Sequence, residues 1–289
     1  MPICPLCGAS QGDKAFSVVG YDVRACGGCG LFYVDPYPYD PANHYRLVRA
    51  YQFKEMTVLE PARYYEATRT VYDEYFPLVE PHLRGAASIL DVGCGTGHLL
   101  ERCAALGLRR AGIELNAERA AFARAKAGCE VFQTPIEDFH SPDPFDVITL
   151  MDVLSHLPSF DRLFVSVRSL LAPGGRLLIK TGELAPRVRR WDLYDWGIPD
   201  HLHFLGLQTI SHICRKYGFE LLEHRRVPLS AELFDPKRLL VRGRSRWRNA
   251  LKAAIAYTPL AARLLRLHYD LRHGRRVYSS LMVLRARTP

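Results

Sequence analysis

The chain has 289 residues, is 48% hydrophobic and carries a formal net charge of +9, enough for one substantial core and at most a small accessory module. No stretch approaches the ~20 consecutive apolar residues of a membrane span. Met1-Pro2-Ile3-Cys4-Pro5 has neither the basic start nor the apolar run of a secretory signal, so the expected location is cytoplasmic. The charge is unevenly placed: from Arg225 onward sixteen Lys or Arg face three acids, while the preceding 224 residues hold 23 basic against 27 acidic side chains. Overall charge is therefore a weak argument for nucleic-acid binding.

Residues 1–35 contain Cys4-x2-Cys7 and Cys26-x2-Cys29, eighteen residues apart, each pair followed by a glycine, Gly8 or Gly30. Two such knuckles predict a structural zinc held by Cys4, Cys7, Cys26 and Cys29, because four thiolates close a tetrahedral shell and leave no place for water. The competing reading is four reduced, non-ligating thiols. A module this short should not fold without its metal, and it is expected to cap or shape a substrate cleft. Cys94, Cys103, Cys129 and Cys214 are expected in the core. A connector over 36–59 begins with a proline-rich run, and residues 60–84 then carry Tyr64, Tyr65, Thr68, Val71, Tyr72, Tyr75, Phe76 and Val79 at helical spacing. That helix is expected to end near Pro81.

Beyond it, strand and helix patterns alternate, as in a parallel sheet covered on both faces. Strands are predicted over 88–92, 110–114, 130–133, 145–151 and 176–181. Helices are predicted over 97–106, 116–127 (Asn116 as N-cap), 160–171 and 207–217 (closed by Gly218), with a turn at Pro173-Gly174-Gly175. Strands over 219–225 and 278–284 complete the pattern, and a basic, mainly helical insertion occupies about 236–276. The fold class is α/β with a doubly wound sheet, spanning 60–289 behind the cysteine module.

The turn Asp91-Val92-Gly93-Cys94-Gly95-Thr96-Gly97 joins the first strand to its helix, where the backbone must turn sharply and approach a ligand. A dinucleotide fingerprint requires glycine where His98 stands. Asp91 is placed to hold the ammonium of a methionine moiety, directly or through water, and Glu114, 21 residues after Gly93, is near the offset of a ribose-binding acid. These residues resemble those of the class I S-adenosylmethionine-dependent methyltransferases over about 60–225. Thr134-Pro135-Ile136-Glu137-Asp138 looks like that family's adenine loop, Phe145-Asp146-Val147-Ile148-Thr149-Leu150 resembles its fourth strand, and Leu170-Leu171-Ala172-Pro173-Gly174-Gly175 is similar to its "LxPGG" turn. The resemblance implies a Rossmann-like sheet binding S-adenosylmethionine through Asp91, Gly93, Cys94, Gly95, Gly97, Glu114, Leu115, Ile136, Glu137 and Met151.

Methyl transfer from a sulfonium is an in-line displacement that needs alignment, exclusion of water and, for a hydroxyl or carbon acid, a base. No Pro-Cys dipeptide follows the fourth strand, which argues against the covalent cytosine-C5 route. The segment Met151-Asp152-Val153-Leu154 in place of Asn/Asp-Pro-Pro-Tyr argues against exocyclic base amines. Base candidates cluster after the fifth strand: Trp191, Asp195, Trp196, Asp200, His201 and His203. His201 and His203 are the catalytic candidates, sharing a face if the segment is extended; the alternative is a packed or capping histidine. His156 stands where relatives often carry Leu-Glu-His, but Ser155 departs from that pattern and favours a structural role. Asp200-His201-Leu202-His203-Phe204 further resembles a block in bacterial-type methyltransferases with a zinc-binding head, many acting on sugars or secondary metabolites. The expected activity is methylation of such a small acceptor at oxygen or carbon. RNA methylation, or a non-catalytic partner with the same fold, are the alternatives.

Lys237, Arg238, Arg242, Arg244, Arg246 and Arg248 precede an apolar-basic helix with Leu251, Ile255, Leu260, Leu264, Leu265 and Leu267, and Trp247 lies at the junction. Three readings compete: a solvated face packed on the body, an anion site for a phosphorylated, nucleotide- or lipid-linked acceptor with peripheral membrane contact as its relative, and an RNA-binding surface.

Overall fold

The computed structural model describes residues 2–10, 12–18, 20–37, 60–188, 198, 201–228, 247, 250–251, 254, 257–273 and 277–287. Trp191, Asp195, Trp196 and Asp200, most of the connector, and the arginines between 237 and 248 lie outside these residues. The strands are β1 (Gly12–Val18), β2 (Tyr21–Cys26), β3 (Phe32–Asp35), β4 (Ser88–Val92), β5 (Arg109–Ile113), β6 (Glu130–Phe132), β7 (Phe145–Met151), β8 (Leu171–Leu184), β9 (His203–Phe204), β10 (Phe219–Pro228) and β11 (Val277–Ala286). The α-helices are α1 (Pro61–Leu83), α2 (His98–Arg102), α3 (Ala117–Ala127), α4 (Phe160–Leu170), α5 (Thr209–Tyr217) and α6 (Pro259–His273).

The larger sheet has the order β10-β11-β8-β7-β4-β5-β6. Strands β4 to β8 run parallel, and β11 inserts antiparallel between β8 and β10. Parallel strands buried on both faces read as continuous apolar runs; every residue of β4 is buried, and so are Val147 to Met151 of β7. The doubly wound sheet expected from the alternation, in the Rossmann-like form that the resemblance implies, is therefore present. Residue 98, rather than 97, opens the first covering helix, which passes into a 3-10 turn over Cys103–Leu106. The Asn116 side chain accepts from the Arg119 amide at 2.9 Å as the N-cap of α3, and Gly218 (φ +71°) closes α5.

Two of the differences from expectation have a clear physical cause. Helix α1 continues through Pro77 and Pro81 to Leu83; both prolines are exposed and four residues apart, so the carbonyls they leave unbonded face solvent and the helix persists. The Pro173-Gly174-Gly175 segment lies within β8, where pairing jumps from Phe145↔Leu171 to Val147↔Arg176; the expected turn is a bulge in the strand.

The second sheet, β1-β2-β3-β9, belongs only partly to the cysteine module. Its fourth strand comes from the segment after β8: Phe32 pairs with Phe204, Tyr33 with His203, and the Val34 amide donates to the Leu202 carbonyl at 2.9 Å. The same segment is tied to the body, since Leu184 donates to Leu205 at 2.7 Å and Leu202 to Ser155 at 2.8 Å. Leu6, Leu31, Phe32 and Val34 of the module share one buried cluster with Phe160, Phe164, Leu202 and Ile213. Lys216 of α5 donates to the Leu6 carbonyl at 2.7 Å and pairs with Asp161.

Where β8 meets β11 and β10, Glu183 is buried and accepts from Arg226 at 2.6 and 3.0 Å, from Ser280, and pairs with His224 at 3.0 Å. Burial alone raises a carboxyl pKa; here the bonds from His224, Arg226 and Ser280 overcome it and hold Glu183 at about 2.

Candidate functional site

Strand β4 carries Asp91 to the carboxyl edge of the sheet, beside the crevice where open α/β sheets bind ligands. Gly93, Gly95 and Gly97 all have positive φ, at +70°, +55° and +84°. A Cβ on Gly93 would lie 2.4 Å from Val153 Cγ2, and one on Gly97 3.1 Å from Ala123 Cβ, so at two of the three positions a side chain would be both crowded and strained in φ. At Gly95 a Cβ would meet nothing within 4 Å, so this glycine faces open space. The amides of Gly93 and Cys94 donate to the Ile113 carbonyl at 2.7 and 3.0 Å. The Cys94 thiol is buried against Gly112; burial raises its pKa and keeps it neutral.

Glu114 follows β5 directly. Its Oε2 accepts from the Gly95 amide at 3.0 Å and its Oε1 from the Asn116 amide at 2.8 Å, clamping the glycine turn to the start of α3. Burial raises its pKa, opposed by those amides and by Arg119. Asp91 is buried and accepts from Thr149 Oγ1 at 2.6 Å. Burial pushes its pKa up to about 7 against the Thr149 bond, and Glu114 adds to the rise. A buried carboxylate in that state is relieved by a cation set beside it. The Thr96 hydroxyl is also buried and has no hydrogen-bond partner among the described residues, a rarity that polar ligands commonly resolve. Leu115 sits half-buried at the rim, Ile136 is buried and Glu137 half-buried in the 3-10 turn Ile136–Asp138, and Met151 is buried at the end of β7.

Helix α1 roofs the turn through His98. Its ring lies between Tyr65 (centroids 3.8 Å apart) and Tyr72 (4.7 Å), both nearly parallel to it. Nε2 is 2.9 Å from the Tyr65 carbonyl and 3.0 Å from Thr68 Oγ1. Burial lowers the His98 pKa to about 4, so the ring is neutral and its Nε2–H donates to the Tyr65 carbonyl. Next to it, Tyr72, Tyr75, Phe76, Met151, Asp152 and Lys180 line a pocket between α1 and the sheet. Lys180 is buried, pairs with Asp152, and its ammonium stands 4.1 Å from the Tyr75 ring centroid. Asp152 has φ +59°, the left-handed conformation that favours glycine, and such outliers gather at working sites. The tyrosine stripe of α1 is legible as a helix face; neither its closure over His98 nor the Lys180–Asp152 pair has a local signal.

The two histidines of the loop after β8 do not share surroundings. His203 is buried, 4.4 Å from the Phe160 ring, with Nδ1 3.2 Å from Tyr37 Oη. His201 remains half-buried and its ring is 4.5 Å from that of His156. The strand begins only at His203, and the two rings, expected to share a face, pack against different neighbours. His156 closes the 3-10 turn Leu154–His156 after β7, which places the His156–His201 pair at the carboxyl end of that strand.

Cys4, Cys7, Cys26 and Cys29 come together with all sulfurs within 4.8 Å of one another. Cys4–Cys29 are 3.6 Å and Cys7–Cys26 3.5 Å apart, close to the edge of about 3.8 Å for a tetrahedron of sulfurs around zinc. The knuckles bond identically: Gly8 and Gly30, both at positive φ, donate to Cys4 and Cys26, while the Cys4 and Cys26 amides donate to Ala9 and Leu31. The donor set fits a closed structural zinc site.

A family model described as "Methyltransferase domain" matches residues 62–224. A ubiquinone biosynthesis O-methyltransferase of Aeromonas salmonicida is 36% identical over 143 residues, 44% of this chain and 59% of that protein. The protein of the same name from Nitrosococcus oceani is 31% identical over 166 residues, 50% of this chain and 70% of its own length. The matched regions thus span about three-fifths to seven-tenths of these relatives. Among solved structures, phosphoethanolamine N-methyltransferase 2 of Haemonchus contortus, in complex with S-adenosylhomocysteine, superposes with a TM-score of 0.60 at 16% identity, covering 85% of this chain and 60% of that one. That likeness establishes the fold.

Proposed function

The chain belongs to the methyltransferase-domain family, and from that premise we propose that it methylates an oxygen of a small, flat, apolar acceptor with S-adenosylmethionine as donor. The observation that carries the donor is the pair of carboxylates framing the glycine turn, Asp91 behind it and Glu114 across it. S-adenosylmethionine supplies an electrophilic methyl on a sulfonium sulfur. Asp91 receives the ammonium of the methionine moiety, Glu114 the ribose hydroxyls, and the Ile136–Asp138 turn the adenine, with Leu115 and Glu137 at its rim. Gly95 leaves room for close backbone approach, and the neutral His98 stack holds α1 over the site and keeps water out.

Oxygen as the acceptor atom is supported by the relatives named for O-methylation in ubiquinone biosynthesis. A flat apolar acceptor, in preference to a sugar, is supported by Tyr72, Tyr75, Phe76 and Met151 in the pocket wall. His201, partly accessible beside His156, is the base: as the acceptor oxygen bonds to the methyl carbon and the carbon–sulfur bond breaks, the hydroxyl proton passes to the imidazole. His203 acts as a positioning residue that seats this loop against Tyr37 and Phe160. The zinc module shapes the acceptor side from outside the chemistry.

Calorimetry with S-adenosylhomocysteine on zinc-replete protein tests the donor site; absent binding, or binding indifferent to Glu114→Gln, overturns it. Transfer of labelled methyl to a panel of phenols and sugars tests the acceptor class, and labelling of sugars alone would return the acceptor to the carbohydrate reading. His201→Gln is expected to lower kcat with little change in donor affinity.

A further inference from the structure

The described helical residues between β10 and β11 present an apolar face to water. Leu260, Leu264, Leu267 and Leu271 of α6 follow one another by four, three and four residues, which sets them along a single narrow stripe. They are 70%, 58%, 52% and 80% exposed. Trp247 and Leu251, one helical turn apart, are 67% and 56% exposed. Single exposed leucines are ordinary; four in register on one helix form a patch that asks for a partner.

The charge of the surrounding sequence identifies that partner. Residues 237–276 hold twelve Lys or Arg and one acid, Asp270, and Arg263, within the stripe's own turns, is exposed. We infer that α6 lies on an anionic lipid surface, its leucines in the headgroup–acyl boundary, with Arg263 and the cations of the 237–276 sequence available to lipid phosphates. This uses both features at once, as interfacial amphipathic helices do. A second copy of the chain would cover the leucines only by bringing two strongly cationic segments together. RNA would satisfy the cations and leave the leucines in water. Among the described residues no helix is long and apolar enough to cross a membrane, so the contact is peripheral.

The test is co-sedimentation of full-length, zinc-replete protein with vesicles of phosphatidylcholine alone and of phosphatidylcholine mixed with phosphatidylglycerol. Binding to the mixed vesicles is expected at least about 10-fold tighter than to neutral ones, and weaker as salt rises. The double variant Leu264→Glu/Leu267→Glu should lose this binding while its melting temperature and S-adenosylhomocysteine affinity stay unchanged; both positions are exposed, so folding is spared. Three outcomes overturn the inference: no vesicle binding, equal binding by the double variant, or a concentration-dependent dimer that the double variant abolishes, which would make the face a self-association surface. Salt-sensitive RNA binding in the absence of vesicle binding would assign the cations to nucleic acid instead.

Discussion

The main chains of Gly30 and Gly206 approach so closely that a Cβ on Gly206 would fall 1.8 Å from the Gly30 carbonyl oxygen. Gly30 ends the second cysteine knuckle, and Gly206 ends the segment that supplies β9. A flexible side chain could give way to a new methyl; a carbonyl inside a knuckle cannot. Gly206→Ala is therefore expected to lower stability by about 3 kcal/mol in urea denaturation through overpacking. An unchanged midpoint would mean the head is not seated through this contact.

Metal removal should be felt at the same place. With zinc as the centre of the knuckles, one equivalent per chain is expected by metal analysis, lost in Cys26→Ser or with a strong chelator. Because β3 holds β9 through Tyr33↔His203 and the Val34–Leu202 bond, hydrogen exchange should accelerate in 32–35 and 202–206 on zinc loss, while β5 stays protected. Unchanged exchange in 202–206 would separate the metal from the acceptor loop.

What could be read in the sequence was local. The glycine turn, the cysteine knuckles, the Asn116 cap and the Gly218 stop each lie within a few residues and owe their form to φ, to one side chain or to ligand chemistry. What could not be read depends on partners far along the chain. Strand β9 has two residues, too few for a period, and exists because β3 offers it an edge. His98 is noticeable in the sequence only as the residue that spoils a dinucleotide motif; its place between Tyr65 and Tyr72 needs α1 folded over it. Lys180 and Asp152 are 28 residues apart and meet because β7 and β8 are neighbours.

That His98 stack predicts a pH signature. Its pKa is lowered to about 4 in the fold and returns near 6.5 when unfolded. The unfolded chain therefore binds the extra proton between those values, and stability falls as pH drops from about 6.5 toward 4. His98→Gln should remove this contribution and, by losing two ring contacts, cost about 2 kcal/mol at neutral pH. A variant with wild-type stability and an unaltered acid profile would show that the stack does not hold α1 down.

Asp91 should act with the opposite sign over much of the same range. Its pKa is raised to about 7, so the folded chain holds the proton that the unfolded chain releases near 3.9, and this contribution to stability is lost as pH climbs from about 4 to 7. Comparing the profiles of Asp91→Asn and His98→Gln with the wild type separates the two. Asp91→Asn keeps the size of the side chain and can still accept from Thr149, so at pH 8 it should be as stable as the wild type or about 1 kcal/mol more stable, because no charge remains buried. The same change removes the partner of the donor's ammonium. A hydrogen bond to a charged group contributes about 1.5–3 kcal/mol, so S-adenosylhomocysteine affinity should fall by about 10- to 100-fold. In the wild type that affinity should strengthen as pH rises through about 7, with proton release on binding below it, because only ionised Asp91 pairs with a cation. Calorimetry in buffers of different ionisation enthalpy measures both effects. If Asp91→Asn binds the ligand as the wild type does, with the same pH dependence, the carboxylate at the end of β4 is a structural acid and the donor's ammonium is held elsewhere.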